Sequence, residues 1–373
     1  MMDTEFCISI PSAGGYEKLV QSPLAGNDSS TGAQTRLYNI PDDEHVVVAV
    51  SALGVNYADV CIRWGYYESA KEYVGWPITP GFEFSGKIVE VGTNCSDLRI
   101  GDEVFGVTLF GAYSTRLRVP ARYVFKRPDY LSMQQAASFP CVGLTAYYAV
   151  HELVHPRPGA SVLVHSAAGG VGSMLVQICK LAKCRVVGVV GSSHKVEAAR
   201  ELGCDDVIDK SKEDLWLRCR QIEPSGFKVI FDANGSTIGK SYENIQPGGK
   251  LVVYGFHSIF PKEGGQLGVR QTIGLVAQYL TTPSFNPFKM VAQNKSVLAF
   301  NLSFLFNEIE IFREAMDQIL SWLENKELRI PAIETVPLEN VAEAHRRLES
   351  GQTIGKLVLV TPHLDEGKAE DSA

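Results

Sequence analysis

The sequence has little that would bind a polyanion or enter a membrane. Its 373 residues carry 35 Lys and Arg against 42 Asp and Glu, a formal net charge of −7. Neither nucleic acid nor an anionic lipid surface would therefore be attracted overall. No apolar run approaches the ~18 residues that cross a bilayer, and Asp3 and Glu5 stand where a secretory signal would be basic. The chain is expected in the cytoplasm, with small molecules as its partners.

Paired cysteines are also lacking. The eight Cys residues are scattered singly and never form Cys-x-x-Cys, which fits reduced thiols better than disulfides or a thiolate zinc site. With 45% apolar and 21% charged residues, the composition is that of a soluble globular protein. A chain of this length can form two domains, each with its own core.

The pattern of apolar residues changes along the chain. From about residue 44 to 124, short β-rich runs such as "FEFSGKIVEVG" are broken by Gly and Pro, typical of an antiparallel, barrel-like sheet. Beyond residue 160, runs such as "RVVGVV" alternate with helical stretches. This alternation predicts an α/β fold with a doubly wound parallel sheet. The last helices and the strand "GKLVLV" are expected to return to the first domain, and the acidic tail from His363 to be disordered.

The stretch "VLVHSAAGGVG" contains a candidate dinucleotide-binding loop. Ala167, Gly169 and Gly172 fall at the three small positions of G-x-G-x-x-G, which allow a tight turn, close approach to a pyrophosphate and close helix packing. For the loop alone, a Gly-rich turn is the alternative. The preceding strand, the following helix and three further β-α units favour a dinucleotide. The residues predicted to bind it here are Ala168, Gly169, Gly170, Val171 and Gly172.

The position that selects NAD over NADP lacks an acid. About 20 residues past the glycines the chain reads "GSSHK", residues 191–195. Hydroxyl groups and an ammonium would hold a 2′-phosphate that a carboxylate would repel. A cation near a helix N-terminus is disfavoured by the helix dipole, and a bound phosphate would relieve that. Ser192 and Lys195 are therefore predicted to bind NADPH; the alternative is a solvated lysine side chain.

Several further motifs follow one another in a fixed order, namely "GVNYADV", "PGFEFSG", "GDEVFG", "FPCVGLTAYYAV" and "GKLVLV". With the glycine loop, they resemble the medium-chain dehydrogenase/reductase superfamily and its zinc-free quinone oxidoreductase branch. Within that branch, the synaptic vesicle VAT-1 homologue group is the one that two stretches resemble most, "YVGWPITPGFEFSG" and "NPFKMVAQNKSVLAFNLSFLF". The resemblance implies a GroES-like catalytic domain beside a Rossmann domain. The implied divisions are 1–141 for the N-terminal part of the GroES-like domain, 142–304 for the Rossmann NADPH-binding domain, 305–362 for the C-terminal return and 363–373 for the disordered acidic tail.

The resemblance also bears on metal and reaction. Zinc alcohol dehydrogenases of the superfamily place a Cys immediately before the residue that is Gly54 here, and a His at the position of Phe82. Leu53 and Phe82 cannot ligate zinc, and the cysteine-rich lobe is missing. The resemblance therefore implies no metal site and an NADPH-dependent, zinc-independent reduction of quinones or α,β-unsaturated carbonyls. The alternative is a VAT-1-like nucleotide-binding protein with a trafficking or membrane-associated role and little turnover.

Site residues follow from the same resemblance. Asn56 is expected to donate a hydrogen bond to the substrate oxygen that gains charge, and Tyr67 to do the same or relay a proton. A turn-forming Asn and a core aromatic are the alternatives, and Asp59 is expected to cap a helix. Other implied cofactor contacts are Asn56, Thr145, Asn234, Gly255, Phe256, Phe300, Asn301 and, where relatives often have Tyr, Lys210.

Two segments allow more than one interpretation. "HELVH", residues 151–155, spells the zinc-protease motif, but His155 precedes a proline, so we interpret it as the end of a helix. The apolar segment "GLVAQYLTTPSFNPF" is expected to cover the substrate cleft or pack in a homodimer, with peripheral membrane contact as the alternative. By resemblance, the dimer would pair edge strands near "VLAFNLSFLF".

Overall fold

This computed structural model describes residues 5–24, 41–256 and 283–364. Most of the apolar segment before residue 288 lies outside these ranges, and so does the tail predicted to be disordered from residue 363, except that residues 363 and 364 are described and are helical. In the described ranges, no helix combines the length and the apolar composition needed to span a membrane.

The structure contains two large sheets, a small two-stranded sheet and helices that cover them. The described strands are β1 (Phe6–Ser9), β2 (Val20–Pro23), β3 (His45–Gly54), β4 (Glu83–Val91), β5 (Glu103–Val107), β6 (Arg116–Pro120), β7 (Val124–Lys126), β8 (Ser161–Val164), β9 (Arg185–Val190), β10 (Asp206–Asp209), β11 (Phe227–Asp232), β12 (Ile245–Val253), β13 (Ser296–Ala299), β14 (Ile333–Pro337) and β15 (Lys356–Val360). The described α-helices are α1 (Tyr57–Trp64), α2 (Glu68–Tyr73), α3 (Met133–Ala136), α4 (Pro140–Tyr147), α5 (Gly170–Leu181), α6 (Val196–Glu201), α7 (Leu215–Ile222), α8 (Ile238–Glu243), α9 (Pro287–Gln293), α10 (Ile309–Glu324) and α11 (Val341–Glu349). A π-helix spans Tyr148–Val154.

The six-stranded sheet is parallel throughout, in the order β10-β9-β8-β11-β12-β13. Its central strands are rich in Val, Ile and Phe and are buried, as expected when helices cover both faces. The predicted doubly wound sheet is thus confirmed. The strand order reverses between β8 and β11, and ligands bind beside such a switch point at the carboxyl ends of the strands.

The seven-stranded sheet belongs to the first half of the chain and to its last strands. Strands β3, β4, β5 and β7 pair antiparallel in that order, and β6 pairs with β3. Strand β15 is antiparallel to β3 and parallel to β14. The chain therefore returns to this sheet after the Rossmann sheet, and Lys356 at the start of β15 lies beside residues more than three hundred positions earlier.

Helix α4 lies at the junction of the two units. It crosses the division predicted between residues 141 and 142, and it packs on α5 and α10. A Cβ on Gly143 would lie 3.2 Å from Ile319 Cδ1 and 3.5 Å from Met174 Cε. The apolar core is thus continuous between the sheets.

Candidate active site

The cofactor-binding residues predicted from the sequence fall mostly at one edge of the parallel sheet. Strands β8 to β13 all run in the same direction, so their carboxyl ends share that edge. The predicted residues follow them in order: 168–172 after β8, Ser192 and Lys195 after β9, Lys210 after β10, Asn234 after β11, Gly255 and Phe256 after β12, and Phe300 and Asn301 after β13. This is the edge where doubly wound sheets bind ligands.

The glycine loop makes the turn from β8 into α5. Ser166 has a left-handed φ of 55°, and Gly169, the residue before α5, has no side chain to cap the helix. A Cβ on Gly172 would lie 2.1 Å from the Ser166 carbonyl oxygen, so only glycine fits there. The N–H groups of the first helical turn can therefore donate to an anionic ligand, since no side chain caps them.

Lys195 is buried rather than solvated. Its side-chain nitrogen donates to the Gly351 carbonyl oxygen over 2.7 Å, and its residue is 9% exposed. Burial, and secondarily the charge of Lys210, lower the pKa of Lys195. Ser192 Oγ nearby is buried with no hydrogen-bond partner in the part of the chain that the structure describes. An ammonium with three donors and an unsatisfied hydroxyl fit an anion such as a phosphate.

One carboxylate lies close to this cluster. Asp209, at the end of β10, accepts hydrogen bonds from Ser193 Oγ (2.6 Å) and from Ser211 Oγ (2.6 Å) and N–H (2.9 Å). These bonds lower the pKa of Asp209. Its charge is therefore directed to the two serines, where it holds the loops after β9 and β10 together.

Asn56 belongs to a buried network that the sequence did not reveal. Its Nδ2 donates to Glu83 Oε1 over 2.8 Å, and Lys356 Nζ donates to Asn56 Oδ1 over 2.8 Å and to Glu83 Oε1 over 2.7 Å. All three residues are at most 9% exposed. An ammonium only donates and a carboxylate only accepts, which fixes the orientation of the carboxamide. Among the residues that the structure describes, Glu83 is the one acceptor of Asn56 Nδ2, which leaves its second hydrogen for a ligand.

Two contacts join this network to its surroundings. Glu83 Oε2 accepts from the Cys141 N–H at the start of α4 over 2.8 Å. A Cβ on Gly54 would lie 2.2 Å from Glu83 Oε1, so β3 must carry glycine where it passes the carboxylate. The sequence signal available for Glu83 and Lys356 was weak, because each is the charged first residue of its strand and β4 carries further charges at Lys87 and Glu90.

Tyr67 is placed beside Asn301. Its hydroxyl donates to Asn301 Oδ1 over 3.1 Å, and Ser303 Oγ, which was not singled out from the sequence, donates to the same oxygen over 2.7 Å. The Tyr67 ring makes edge contacts with Phe82 and Phe110, with centroids 5.7 and 6.5 Å apart. Burial raises the pKa of Tyr67, so the phenol stays neutral.

The remaining predicted residues differ in what their polar groups contact. Thr145 Oγ1 donates to the Cys141 carbonyl over 2.7 Å within its own helix, so its hydroxyl hydrogen is directed away from a cofactor. Asn234 Nδ2 donates to Thr237 Oγ1 over 3.1 Å. Phe256 is 49% exposed.

The Phe300 ring is packed among aromatic side chains. Its centroid lies 5.0 Å from that of Tyr148 and 6.3 Å from that of Tyr254. Tyr254 precedes Gly255 directly. Aromatic side chains thus surround the residues that follow β12 and β13, and give that part of the cleft an apolar wall.

Asp59 lies directly behind Asn56. Its carboxylate accepts from the Asn56 N–H over 2.8 Å, at the start of α1, and from the Gly81 N–H over 2.9 Å. Tyr113 OH donates to it over 3.1 Å. Burial raises the pKa of Asp59 to about 7, although these hydrogen bonds oppose the rise. The carboxyl therefore anchors the backbone that carries Asn56.

The "HELVH" segment forms most of the π-helix that ends at Val154. His155 has a left-handed φ of 47° and caps that end. The His151 ring packs on Tyr147 and Trp322, with centroids 4.6 and 5.7 Å away. Among residues 5–24, 41–256 and 283–364, no three His, Cys, Asp or Glu side chains come together as a metal site would require.

Comparison with known sequences finds both parts of the fold. Residues 42–129 match the alcohol dehydrogenase GroES-like domain, and residues 202–359 match the family described as zinc-binding dehydrogenase. The synaptic vesicle membrane protein VAT-1 homolog of Rattus norvegicus is 30% identical over 359 residues, 95% of this chain and 83% of the relative. The Danio rerio homolog is 30% identical over 355 residues, 95% of this chain and 69% of the relative.

Solved structures agree with the sequence matches. The structure of Escherichia coli quinone oxidoreductase complexed with NADPH aligns with a TM-score of 0.79 at 25% identity, over 95% of this chain and 99% of that one. The human VAT-1 homolog-like protein aligns with a TM-score of 0.78 at 25% identity, over 96% and 99%. The predicted GroES-like and Rossmann units are thereby confirmed. With its motifs, sheets and relatives in agreement, the chain belongs to the medium-chain dehydrogenase/reductase superfamily and, within it, to the VAT-1 homologue family.

Proposed function

We propose that this protein is an NADPH-dependent, zinc-independent oxidoreductase that reduces quinones or α,β-unsaturated carbonyl compounds. The observation that carries the proposal is the fixed carboxamide of Asn56, which retains one free N–H and is joined through Lys356 to the glycine loop. A hydrogen-bond donor for a reacting oxygen is thus held next to a dinucleotide-binding loop.

The residues present fit NADPH. The uncapped first turn of α5 and the small residues before it suit a diphosphate. Ser192 and Lys195 suit a 2′-phosphate, because one hydroxyl is unsatisfied and the ammonium has a single described acceptor. Lys210 adds positive charge to the same cluster. When bound, the reduced nicotinamide supplies the hydride.

The protein's own side chains then act on the acceptor. The free Nδ2 hydrogen of Asn56 donates to the substrate oxygen as negative charge develops there. Neutral Tyr67 and the Phe82 and Phe110 rings form an apolar wall suited to a flat, conjugated acceptor. Leu53 and Phe82, at the positions where zinc alcohol dehydrogenases have ligands, offer no donor atom to a metal. Charge stabilisation is therefore assigned to the carboxamide.

The test is NADPH oxidation with a panel of quinones and enones, repeated with NADH. We expect turnover with NADPH, and a fall in kcat of about 10²-fold for Asn56→Ala, the usual effect of removing one such donor. Asn94→Ala is the control, because Asn94 bonds Asp43 at the exposed surface. Equal rates for Asn56→Ala and wild type would contradict the assignment. Stoichiometric zinc that is lost in His151→Ala would contradict zinc independence.

A second candidate function is suggested by one exposed apolar pair. Phe288 and Val291 are 87% and 82% exposed and lie three residues apart on α9, so they share one helix face. The rat relative is named as a synaptic vesicle membrane protein, and a membrane-contact role without turnover would use such a face. Vesicle co-sedimentation of wild type and Phe288→Ser/Val291→Ser separates this role from catalysis. Binding lost in the variant, with no NADPH oxidation in either protein, would favour it.

We also propose that the protein is a homodimer. Strand β13 ends the described six-stranded sheet and pairs on one side with β12. An unpaired strand edge is a template for another strand, and in a dimer two β13 edges would meet. Sedimentation equilibrium should give twice the 40.8 kDa chain mass. A monomer at micromolar concentration would contradict it.

A further inference from the structure

We propose that Lys356 is a positioning residue that fixes the carboxamide of Asn56 in its donating orientation and holds Asn56 at a fixed position relative to the glycine loop. This inference rests on the proposed function and concerns how Asn56 is made effective. Lys356 is not itself a substrate-binding group, and its role is exerted through Asn56.

The hydrogen bonds of the Lys356 ammonium explain why Lys356 does not bind substrate itself. Its three protons match three acceptors: the Val55 carbonyl oxygen at 2.9 Å, Asn56 Oδ1 at 2.8 Å and Glu83 Oε1 at 2.7 Å. An ammonium has three donors, so none is left for a substrate. The side chain is 3% exposed and that of Glu83 is not exposed, so solvent does not replace these bonds.

The same bonds exclude the flipped carboxamide. Rotation of the Asn56 amide by half a turn would place its NH₂ group against the ammonium and its oxygen against the Glu83 carboxylate. Both contacts would be repulsive, and in a buried site such mismatches are costly. Lys356 and Glu83 together therefore direct the free N–H of Asn56 toward the cleft, while their opposite charges balance.

The backbone beside Lys356 adds a second constraint. The Gly355 N–H donates to the Ala168 carbonyl oxygen over 2.9 Å, and Gly355 forms a parallel bridge with Gly169. A Cβ on Gly170 would lie 3.0 Å from Lys356 Cδ. The Gly355 backbone and the Lys356 methylenes thus contact the glycine loop. The Lys356 ammonium contacts Asn56.

The experiment compares Lys356→Met with Asn56→Ala and with the double variant Asn56→Ala/Lys356→Met. Methionine keeps most of the side-chain length without the charge. We expect Lys356→Met to lower kcat about 30-fold or more, toward the loss of a whole donor, with the NADPH dissociation constant from nucleotide fluorescence changed less than about threefold. In the double variant kcat should match Asn56→Ala within about twofold, because coupled residues are not additive.

A folding control accompanies these variants. Lys356→Met leaves the Glu83 charge buried and unpaired, which can itself unfold a protein. The double variant Glu83→Gln/Lys356→Met removes both charges. We expect it to fold and to keep the low kcat; recovery of wild-type kcat in it would overturn the proposal, because the defect would then come from the unpaired charge.

The decisive readout is independent of turnover. The side-chain amide signals of Asn56 in a ¹H–¹⁵N spectrum are identified by their loss in Asn56→Ala. We expect a single sharp pair in wild type, which shifts or broadens in Glu83→Gln/Lys356→Met. Unchanged signals, or additive losses of kcat, would overturn the role of Lys356. Absence of wild-type turnover with every acceptor would instead refute the proposed function, and the amide signals would still decide the orientation.

Discussion

Two buried lysines of the candidate site, Lys195 and Lys356, differ in how many of their hydrogen-bond donors have a partner among the described residues. We call the surroundings of Ser192 and Lys195, proposed to bind the 2′-phosphate, the adenosine end; there Lys195 has one described acceptor, the Gly351 carbonyl, and the Ser192 hydroxyl is unsatisfied among the described residues. We call the surroundings of Asn56, proposed to contact the substrate, the reaction end; there Lys356 has three acceptors, one of which is its ion-pair partner Glu83. A buried polar group without a partner costs roughly 1–3 kcal/mol. Unused donors therefore mark where a ligand is expected, and satisfied ones mark the scaffold that orients Asn56.

The burial of Asp59 at the reaction end should make the free energy of unfolding depend on pH. Burial raises the pKa of Asp59 to about 7, against ~3.9 in an unfolded chain. The folded state then binds the proton more tightly, so this contribution to the free energy of unfolding is fully present below pH ~4. It is lost as pH rises through about 7, by up to about 4 kcal/mol.

Urea unfolding at pH 5 and pH 8 measures the part of this loss that falls between pH 5 and about 7, about 2.7 kcal/mol. Asp59→Asn cannot ionise, so its free energy of unfolding should change less between the two pH values than that of wild type. The variant is expected to be less stable throughout, because an amide cannot accept from both Gly81 and Asn56 as the carboxylate does. The difference between the two slopes is therefore the quantity to compare. Parallel slopes would show that Asp59 does not titrate in this range.

In the glycine loop, a steric clash should weaken NADPH binding more than the loss of a charge does at the adenosine end. A Cβ on Gly172 would lie 2.1 Å from the Ser166 carbonyl oxygen, so Gly172→Val must move the loop that receives the diphosphate. We expect NADPH binding to weaken at least about 100-fold, or about 2.7 kcal/mol. Gly239→Ala is the matched control, because its new Cβ would meet Pro283 only at 3.9 Å. If nucleotide fluorescence gave similar NADPH affinities for both variants, the glycine loop would not be part of the cofactor site.

How much could be read from the sequence differs between the same two ends. The adenosine end is formed by residues that follow their strands directly in the sequence. For example, "RVVGVV" is the strand β9, Arg185–Val190, and Ser192 and Lys195 come soon after it. Period and loop length are properties of neighbouring residues, so the sheet and its glycine loop were predictable. The bond from Lys195 to Gly351 spans 156 positions and left no local sign.

The reaction end depends on pairs that are distant along the chain. Glu83 and Lys356 are 273 residues apart, and only the return of β15 to β3 brings them together. The local sequence shows that each is a charged residue at the start of a strand, but it cannot show that each neutralises the other. The cofactor contact that the resemblance implies for Thr145 stays a prediction, and its hydroxyl donates within α4.

The charge of Lys195 should decide between the two cofactors. Lys195→Ala removes the ammonium proposed for the 2′-phosphate, so NADPH affinity should fall about 10-fold, or about 1.4 kcal/mol, while NADH affinity stays within about twofold. Lys240→Ala is the control, since Lys240 pairs with Glu243 at the surface. Equal losses for NADPH and NADH would mean that Lys195 supports the loop through Gly351 without binding a phosphate.

The smallest effect is expected where a polar group is already satisfied inside the reaction end. Tyr67→Phe removes the hydroxyl that donates to Asn301 Oδ1, but Ser303 Oγ still donates to that oxygen, and the ring contacts remain. We expect kcat to fall only about threefold, less than 1 kcal/mol, with an unchanged pH profile because burial raises the Tyr67 pKa beyond the working range. A loss comparable to that of Asn56→Ala would make the phenol the main donor to the substrate oxygen. The satisfied end of the cleft would then contain a second group in direct contact with substrate, and hydrogen-bond saturation would no longer separate scaffold from reactive residues.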